Sequence, residues 1–129
     1  MMKYIEYNIN PKNKKTGDCV IRAIAFAKNK EWEKIYLELA EQGIRKGLML
    51  NDPRNWKKYL DNLGYKVQKM PRKINNKRYS LEEFCDKIAE EDKTYIVKIA
   101  SHLTAVKDKN LYDTWNCSRK YVGNYWVIE

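Results

Sequence analysis

The stretch Thr16-Gly17-Asp18-Cys19-Val20-Ile21-Arg22-Ala23-Ile24 places a cysteine where a polar loop gives way to an apolar helix. The loop, residues 8–18, contains a proline and a glycine, which favour irregular backbone. Thr16 or Asp18 could cap the first turn of the helix with its side chain. Apolar side chains then recur at helical spacing, at Val20, Ala23, Ile24 and Ala27.

The position of Cys19 favours a reactive thiol. The first N–H groups of a helix have no partners within the helix, and together with the helix dipole they stabilise an anion placed there. A thiol at such a position has a lowered pKa. The same N–H groups can donate to an oxyanion that forms on an attacked carbonyl, so Cys19 is the candidate nucleophile.

Two further helices are predicted by apolar stripes and by their end signals. The residues of one stripe, within 32–39, follow an i, i+3, i+4, i+7 pattern, and Gly43 or Gly47 would end that helix. Asp52-Pro53 opens the next helix, because aspartate is a favoured N-cap and proline is tolerated at the first helical position. Gly64 would end it.

A change of character follows the fourth predicted helix, for which Ser80 and Glu83 form a capping box. The rest of the chain is rich in β-branched and aromatic residues, which predicts strands. Those strands are expected at residues 94–100, 103–106, 111–115 and 121–128. We therefore expect an α+β fold in a single domain, 1–129. A helical half at about 16–91 would pack on an antiparallel sheet half at about 94–129.

Composition narrows the class of protein. With 129 residues, 43% of them hydrophobic, the chain can bury one core, and no apolar run approaches the roughly 18 residues of a membrane span. The sequence begins without the apolar region of a signal peptide, so we expect a cytoplasmic protein. The net charge of +9 favours acidic partners. The preferred interpretation of the basic segment at residues 66–78 is a solvated loop. Nucleic acid is a less favoured partner for this segment.

The single histidine, His102, lies near the start of a predicted strand and is the conventional base available to Cys19. If Asp108-Lys109 forms a two-residue hairpin turn, Asp113 shares a face with His102 as its diagonal neighbour. A three-residue turn shifts the register, and Asn116 then faces the imidazole instead. We prefer Asp113, because a carboxylate also stabilises the imidazolium.

The other thiols are weaker candidates. Cys85 lies on an apolar helix stripe and is expected in the core, whereas Cys117 follows the strand of Asp113 with no obvious base beside it. The three cysteines contain no CxxC pair, which indicates free thiols and no structural zinc. We predict neither a metal nor a cofactor.

The order of Cys19, His102 and Asp113 resembles that of papain-like cysteine peptidases, and most closely their compact double-glycine branch. Residues 16–24 and residues 112–117 are also similar to small papain-like proteins of bacteriophages and low-GC bacteria. The resemblance implies a papain-like fold with the nucleophile on a helix and the base on a sheet. It also implies an oxyanion-hole role for Asn13, because the family has a glutamine six residues before the cysteine.

The expected function is a cysteine-dependent hydrolase that cleaves a peptide, isopeptide or side-chain amide bond through a thioester acyl-enzyme. The expected substrate is a protein or peptide, with an acidic one favoured by the net charge, and a role as a phage or bacterial effector would fit the resemblance. Trp115 and Trp126 are candidate walls of the cleft. The first alternative is transglutaminase-like acyl transfer or glutamine deamidation. The second is a non-catalytic papain-like scaffold that binds acidic protein or nucleic acid through residues 66–78.

Overall fold

A computed structural model describes residues 1–128 and places four helices against one six-stranded sheet. The helices are α1 (Cys19–Lys28), α2 (Trp32–Lys46), α3 (Pro53–Asn62) and α4 (Leu81–Lys87). The strands are β1 (Tyr4–Glu6), β2 (Val67–Gln68), β3 (Thr94–Ile99), β4 (His102–Lys107), β5 (Asn110–Asp113) and β6 (Tyr125–Val127). The strand order is β1-β5-β4-β3-β6-β2, which confirms the α+β class.

The strands predicted in the C-terminal half pair antiparallel with one another, but the sheet as a whole is mixed. β1 pairs with β5 in parallel, with Tyr4 opposite Leu111, while the other neighbours in the sheet are antiparallel. The chain also contributes β2, from within the predicted helical half, to the opposite edge. Both edge strands are too short to carry an alternating pattern of apolar residues, which explains why the sequence did not indicate them.

The strand predicted at 121–128 is shorter than expected. Only Tyr125–Val127 pairs along β3. Tyr121 instead forms an isolated bridge with Ser80, at the start of α4, and the Val122 N–H donates to the Tyr79 carbonyl at 2.9 Å. Because of these bonds, residues 121–122 lie against the start of α4 and do not pair with β3.

Three of the four helices begin or end as the sequence indicates. The Asp52 side chain accepts a hydrogen bond from the Arg54 N–H at the start of α3, and the capping box of α4 is formed. Gly47 ends α2 with a φ of 69°, which glycine adopts without steric cost. The side-chain cap expected for α1 from Thr16 or Asp18 is absent among residues 1–128.

Both faces of the sheet are covered. Helices α1, α2 and α3 pack on one face, where Ile24, Leu39 and Leu60 meet Ile96 and Leu103. Helix α4 packs on the other face, where its apolar side chains meet Val97, Val106 and Leu111. Because successive strand residues point to opposite faces, β3 and β4 contribute to both cores. In the described chain no helix is long and apolar enough to cross a lipid bilayer.

The β4–β5 hairpin sets the geometry of the site. Its turn is Asp108-Lys109, with φ values of 51° and 66°, so both residues have the positive φ of a type I′ turn. Val106 pairs with Leu111, as the two-residue turn predicts, and the three-residue alternative is wrong. The ladder ends at Ala105 opposite Tyr112, immediately before the positions of Thr104 and Asp113.

Candidate active site

The buried carboxylate of Asp113, at the end of β5, is held on both of its oxygens. Oδ2 accepts from Thr104 Oγ1 at 2.5 Å and contacts His102 Nε2 at 2.7 Å. Oδ1 accepts from Arg22 Nη1 at 2.9 Å and from the Thr114 N–H at 2.7 Å. Burial is the largest influence on the pKa of Asp113 and raises it, but these bonds and the charge of His102 lower the pKa to about 2. The carboxylate is therefore ionised and rigidly placed.

His102 is held between this carboxylate and the thiol of Cys19. Its Nε2 is engaged with Asp113 at 2.7 Å, and the thiols of Cys19 and Cys117 also act on the pKa of the ring. Burial acts most strongly on the pKa of His102 and lowers it. Hydrogen bonds to Asp113, Cys117 and Cys19 outweigh burial and raise the pKa to about 11. The imidazole is thus protonated at neutral pH.

Cys19 is the first residue of α1, and its thiol is half-buried. Burial is the largest influence on the pKa of Cys19 and raises it. Hydrogen bonds to His102 and to the backbone N–H of Leu103, with the positive charges of His102 and Arg22, bring the pKa below its ordinary value. The two shifts together favour a thiolate beside an imidazolium.

The N-terminus of α1 keeps its hydrogen-bond donors available. Asp18 occupies the N-cap position, but its side chain makes no capping bond. The Asp18 carboxylate instead accepts from Arg22 Nε at 2.8 Å, from Trp32 Nε1 at 3.0 Å and from Asn10 Nδ2 at 3.1 Å. Because the carboxylate is turned away, the first N–H groups of the helix, including that of Cys19, have no partner within residues 1–128 and can bind an anion.

Arg22 is the main site residue that the sequence analysis missed. Its guanidinium bridges Asp18 and Asp113 and so ties the start of α1 to the end of β5. The sequence does contain a signal, since Arg22 is the single charged residue within 19–27 and lies one helical turn after Asp18. A charge on an otherwise apolar helix predicts a buried partner.

The expectation that Cys117 has no base beside it is wrong. The turn after β5 brings its buried Sγ to 3.7 Å from Asp113 Oδ2 and next to His102. One ligand atom each from His102, Asp113 and Cys117 lies within 4.8 Å of the others, close enough for a three-ligand metal site. Oδ2 of Asp113 is, however, already occupied by its bonds to His102 and Thr104. Cys85 lies in the core as predicted, and burial raises its pKa to about 12.

The two asparagines of the predicted site lie outside this cluster. Asn116, the alternative orienting residue, is exposed, and its Oδ1 accepts from the Ser118 N–H at 3.1 Å. It therefore belongs to a local turn and does not orient His102. Asn13 is also exposed, and its Oδ1 accepts from Asn8 Nδ2 at 3.4 Å. Its oxyanion-hole role stays a prediction.

The two candidate wall tryptophans have different surroundings. Trp115 is 41% exposed, and its ring centroid lies 5.2 Å from that of His102, so it flanks the site. Trp126 is only 2% exposed and packs edge-on against Trp56 at 5.3 Å, under α3. The wall prediction for Trp126 is wrong, because strand alternation on β6 turns its side chain into the core beneath the helices.

A comparison of the chain with protein-family models, with curated proteins and with solved structures finds no match.

Proposed function

We propose that this protein is a papain-like, cysteine-dependent hydrolase that cleaves a peptide, isopeptide or side-chain amide bond. Cys19 is the nucleophile, His102 transfers protons, and Asp113 orients the imidazole. The observation that carries the proposal is the position of His102, whose Nε2 lies 2.7 Å from Asp113 Oδ2 and whose imidazole lowers the pKa of the Cys19 thiol. A helix supplies the nucleophile and a sheet supplies the base, which accords with a papain-like arrangement.

The reaction begins when the Cys19 thiolate attacks the carbonyl carbon and forms a carbon–sulfur bond. The carbonyl electrons move to oxygen, and the free N–H groups at the start of α1 donate to that oxyanion, with Asn13 as the second predicted donor. The intermediate collapses, and the carbon–nitrogen bond breaks. His102 gives its proton to the departing amine, which leaves a thioester on Cys19.

A water molecule completes the hydrolysis. His102, now neutral, accepts a proton from the water as its oxygen attacks the thioester carbonyl. The carbon–sulfur bond breaks, a carboxylic acid product leaves, and the thiolate–imidazolium pair is restored. Attack by an amine in place of water would give transglutaminase-like acyl transfer, and hydrolysis of a glutamine side chain would give deamidation. Both alternatives use the same acyl-enzyme.

The proposal is tested by measuring alkylation rates of the three thiols with iodoacetamide at neutral pH, by mass spectrometry. We expect Cys19 to react at least about tenfold faster than Cys85 and Cys117, which are buried. The substitution His102→Ala should slow the alkylation of Cys19 by about tenfold or more, because the imidazolium no longer stabilises the thiolate. Cys117→Ser is the matched control, because it removes a thiol beside the same imidazole and should leave Cys19 reactive.

Equal rates for Cys19 in the wild-type and His102→Ala proteins would contradict the proposal. Loss of the Cys19 preference in Cys117→Ser would also contradict the assigned roles, because Cys117 would then be part of the reactive pair.

A further inference from the structure

A groove of about 640 Å³, whose lining does not include Cys19, contains much of the basic segment found in the sequence. Three parts of the chain form it: the turn at residues 72–78, the start of α4 and the segment at 118–121. Its positively charged side chains are Arg72, Lys73, Lys77, Arg78 and Arg119. Two carboxylates, Glu82 and Glu83, also line it. Five positive and two negative charges make the groove an acceptor for an anionic partner.

Some of these cations are held in place before any ligand arrives. Arg72 Nη1 donates to the Asn76 carbonyl at 3.0 Å, and Arg78 Nη2 donates to the Val122 carbonyl at 3.2 Å. The Arg78 guanidinium also lies 5.8 Å from the ring centroid of Tyr121, which is exposed. Because these side chains are already ordered, binding costs less conformational entropy.

Two other cations remain available for a ligand. The side chains of Lys77 and Arg119 are exposed and have no hydrogen-bond or ion-pair partner within residues 1–128. They face the groove from its two sides, one on the 72–78 turn and one on the 118–121 segment. An extended anionic chain lying in the groove would meet both.

The groove is joined to the candidate active site by a short piece of chain. Ser118, which lines the groove, directly follows Cys117, whose Sγ lies 3.7 Å from Asp113. The Ser118 carbonyl accepts from the Glu82 N–H at 2.9 Å, which fixes this segment on α4. One firmly held segment therefore contacts the orienting carboxylate at one end and forms the groove at the other.

We propose that this groove binds an acidic segment of the protein substrate that lies some residues along the chain from the bond that Cys19 cleaves. This inference rests on the proposed function and adds a substrate class to it. A protein is favoured over nucleic acid because Glu82 and Glu83 lie within the groove. A nucleic acid carries a phosphate at every nucleotide and would meet Glu82, which has no ion-pair partner within residues 1–128, whereas Glu83 is paired with Lys73. A peptide can place uncharged residues there.

The first experiment measures binding alone, in Cys19→Ala protein, by fluorescence anisotropy with a labelled glutamate-rich peptide. We expect Lys77→Glu together with Arg119→Glu to weaken binding about tenfold or more. Lys30→Glu with Arg45→Glu is the matched control, because it makes the same charge change at exposed residues outside the groove. Equal losses in both double variants would overturn the proposal. Tighter binding of single-stranded DNA, lost in the groove variant, would replace the acidic segment with nucleic acid as the occupant.

The second experiment asks whether the groove serves Cys19. A thiol-reactive group is attached to the end of the glutamate-rich peptide, and its rate of reaction with Cys19 is compared with that of a neutral peptide. Binding in the groove should raise the rate about tenfold or more through effective concentration, and the groove variant should remove the increase. Peptide binding without faster labelling would separate the groove from the site. Failure of Cys19 to react with either probe would count against the proposed function instead.

Discussion

Arg22 and Asp113 lie 91 residues apart in the chain, and their side chains meet at 2.9 Å. The same guanidinium binds Asp18 at 2.8 Å, directly before Cys19. The start of α1 and the end of β5 are thereby held together by a partly buried cation between two buried carboxylates. Arg22 is a positioning residue, because it fixes where Asp113 stands relative to the helix that carries the thiol.

Replacement of Arg22 by methionine should lower the free energy of unfolding by about 3–5 kcal/mol, because it leaves the buried Asp18 without a counter-ion and removes one of the two cations beside Asp113. Arg22→Lys should recover part of the loss, since an ammonium restores the charge without the fork that reaches both partners. Urea denaturation measures both changes. The control is Arg54→Met, which removes an ion pair of an exposed arginine with Asp52 and should change stability little. Similar losses for Arg22→Met and Arg54→Met would show that the buried bridge contributes no more than a surface pair.

The substitution Asp113→Asn should slow alkylation of Cys19 at neutral pH by about tenfold or more. Removing the carboxylate charge lowers the pKa of His102, and a less stable imidazolium stabilises the thiolate less. The pH at which the alkylation rate is half-maximal should therefore rise. Asn116→Ala is the matched control, because its side chain takes part in a local turn. An unchanged pH profile in Asp113→Asn would remove Asp113 from the proposed triad.

The parts of this site that depend on local signals could be predicted from the sequence. A two-residue turn at Asp108-Lys109 determines the β4–β5 register, and the register alone brings Asp113 to His102. The helix that starts at Cys19 follows from its apolar spacing. These features need no knowledge of distant contacts.

The remaining parts depend on tertiary packing. Cys117 reaches His102 because the chain reverses after β5, and the sequence contains no strong turn signal for that reversal. The cap expected from Asp18 fails because Arg22, Trp32 and Asn10 compete for its carboxylate. A side chain with several possible partners cannot be assigned from spacing alone.

Stability should depend on pH through the His102–Asp113 pair. The pKa of Asp113 is lowered from 3.8 to about 2, so its contribution is present above 3.8 and is lost as the pH falls toward 2. The pKa of His102 is raised from 6.5 to about 11, so its contribution is complete below 6.5 and is lost as the pH rises toward 11. Urea midpoints measured across this range should fall at both ends.

The variant His102→Ala separates this pair from the other titrating groups. The decrease in stability between pH 6.5 and 11 should be smaller in this variant than in the wild type, because the group whose pKa was raised is gone. Parallel pH curves for the two proteins would show that the imidazolium does not contribute to folding.

Substitution of Trp126 and of Trp115 should affect the free energy of unfolding to different extents. Trp126→Ala should lower the free energy of unfolding by about 3–5 kcal/mol, because it empties a buried volume against Trp56. Trp115→Ala should cost much less, since 41% of its surface is already exposed. The effect of Trp115→Ala should appear at the site, where the Trp115 ring flanks His102.

In Trp115→Ala, alkylation of Cys19 by a bulky aromatic reagent should change more than alkylation by iodoacetamide, because the aromatic reagent can contact the Trp115 ring. Equal changes with both reagents would mean that Trp115 does not border the path to the thiol.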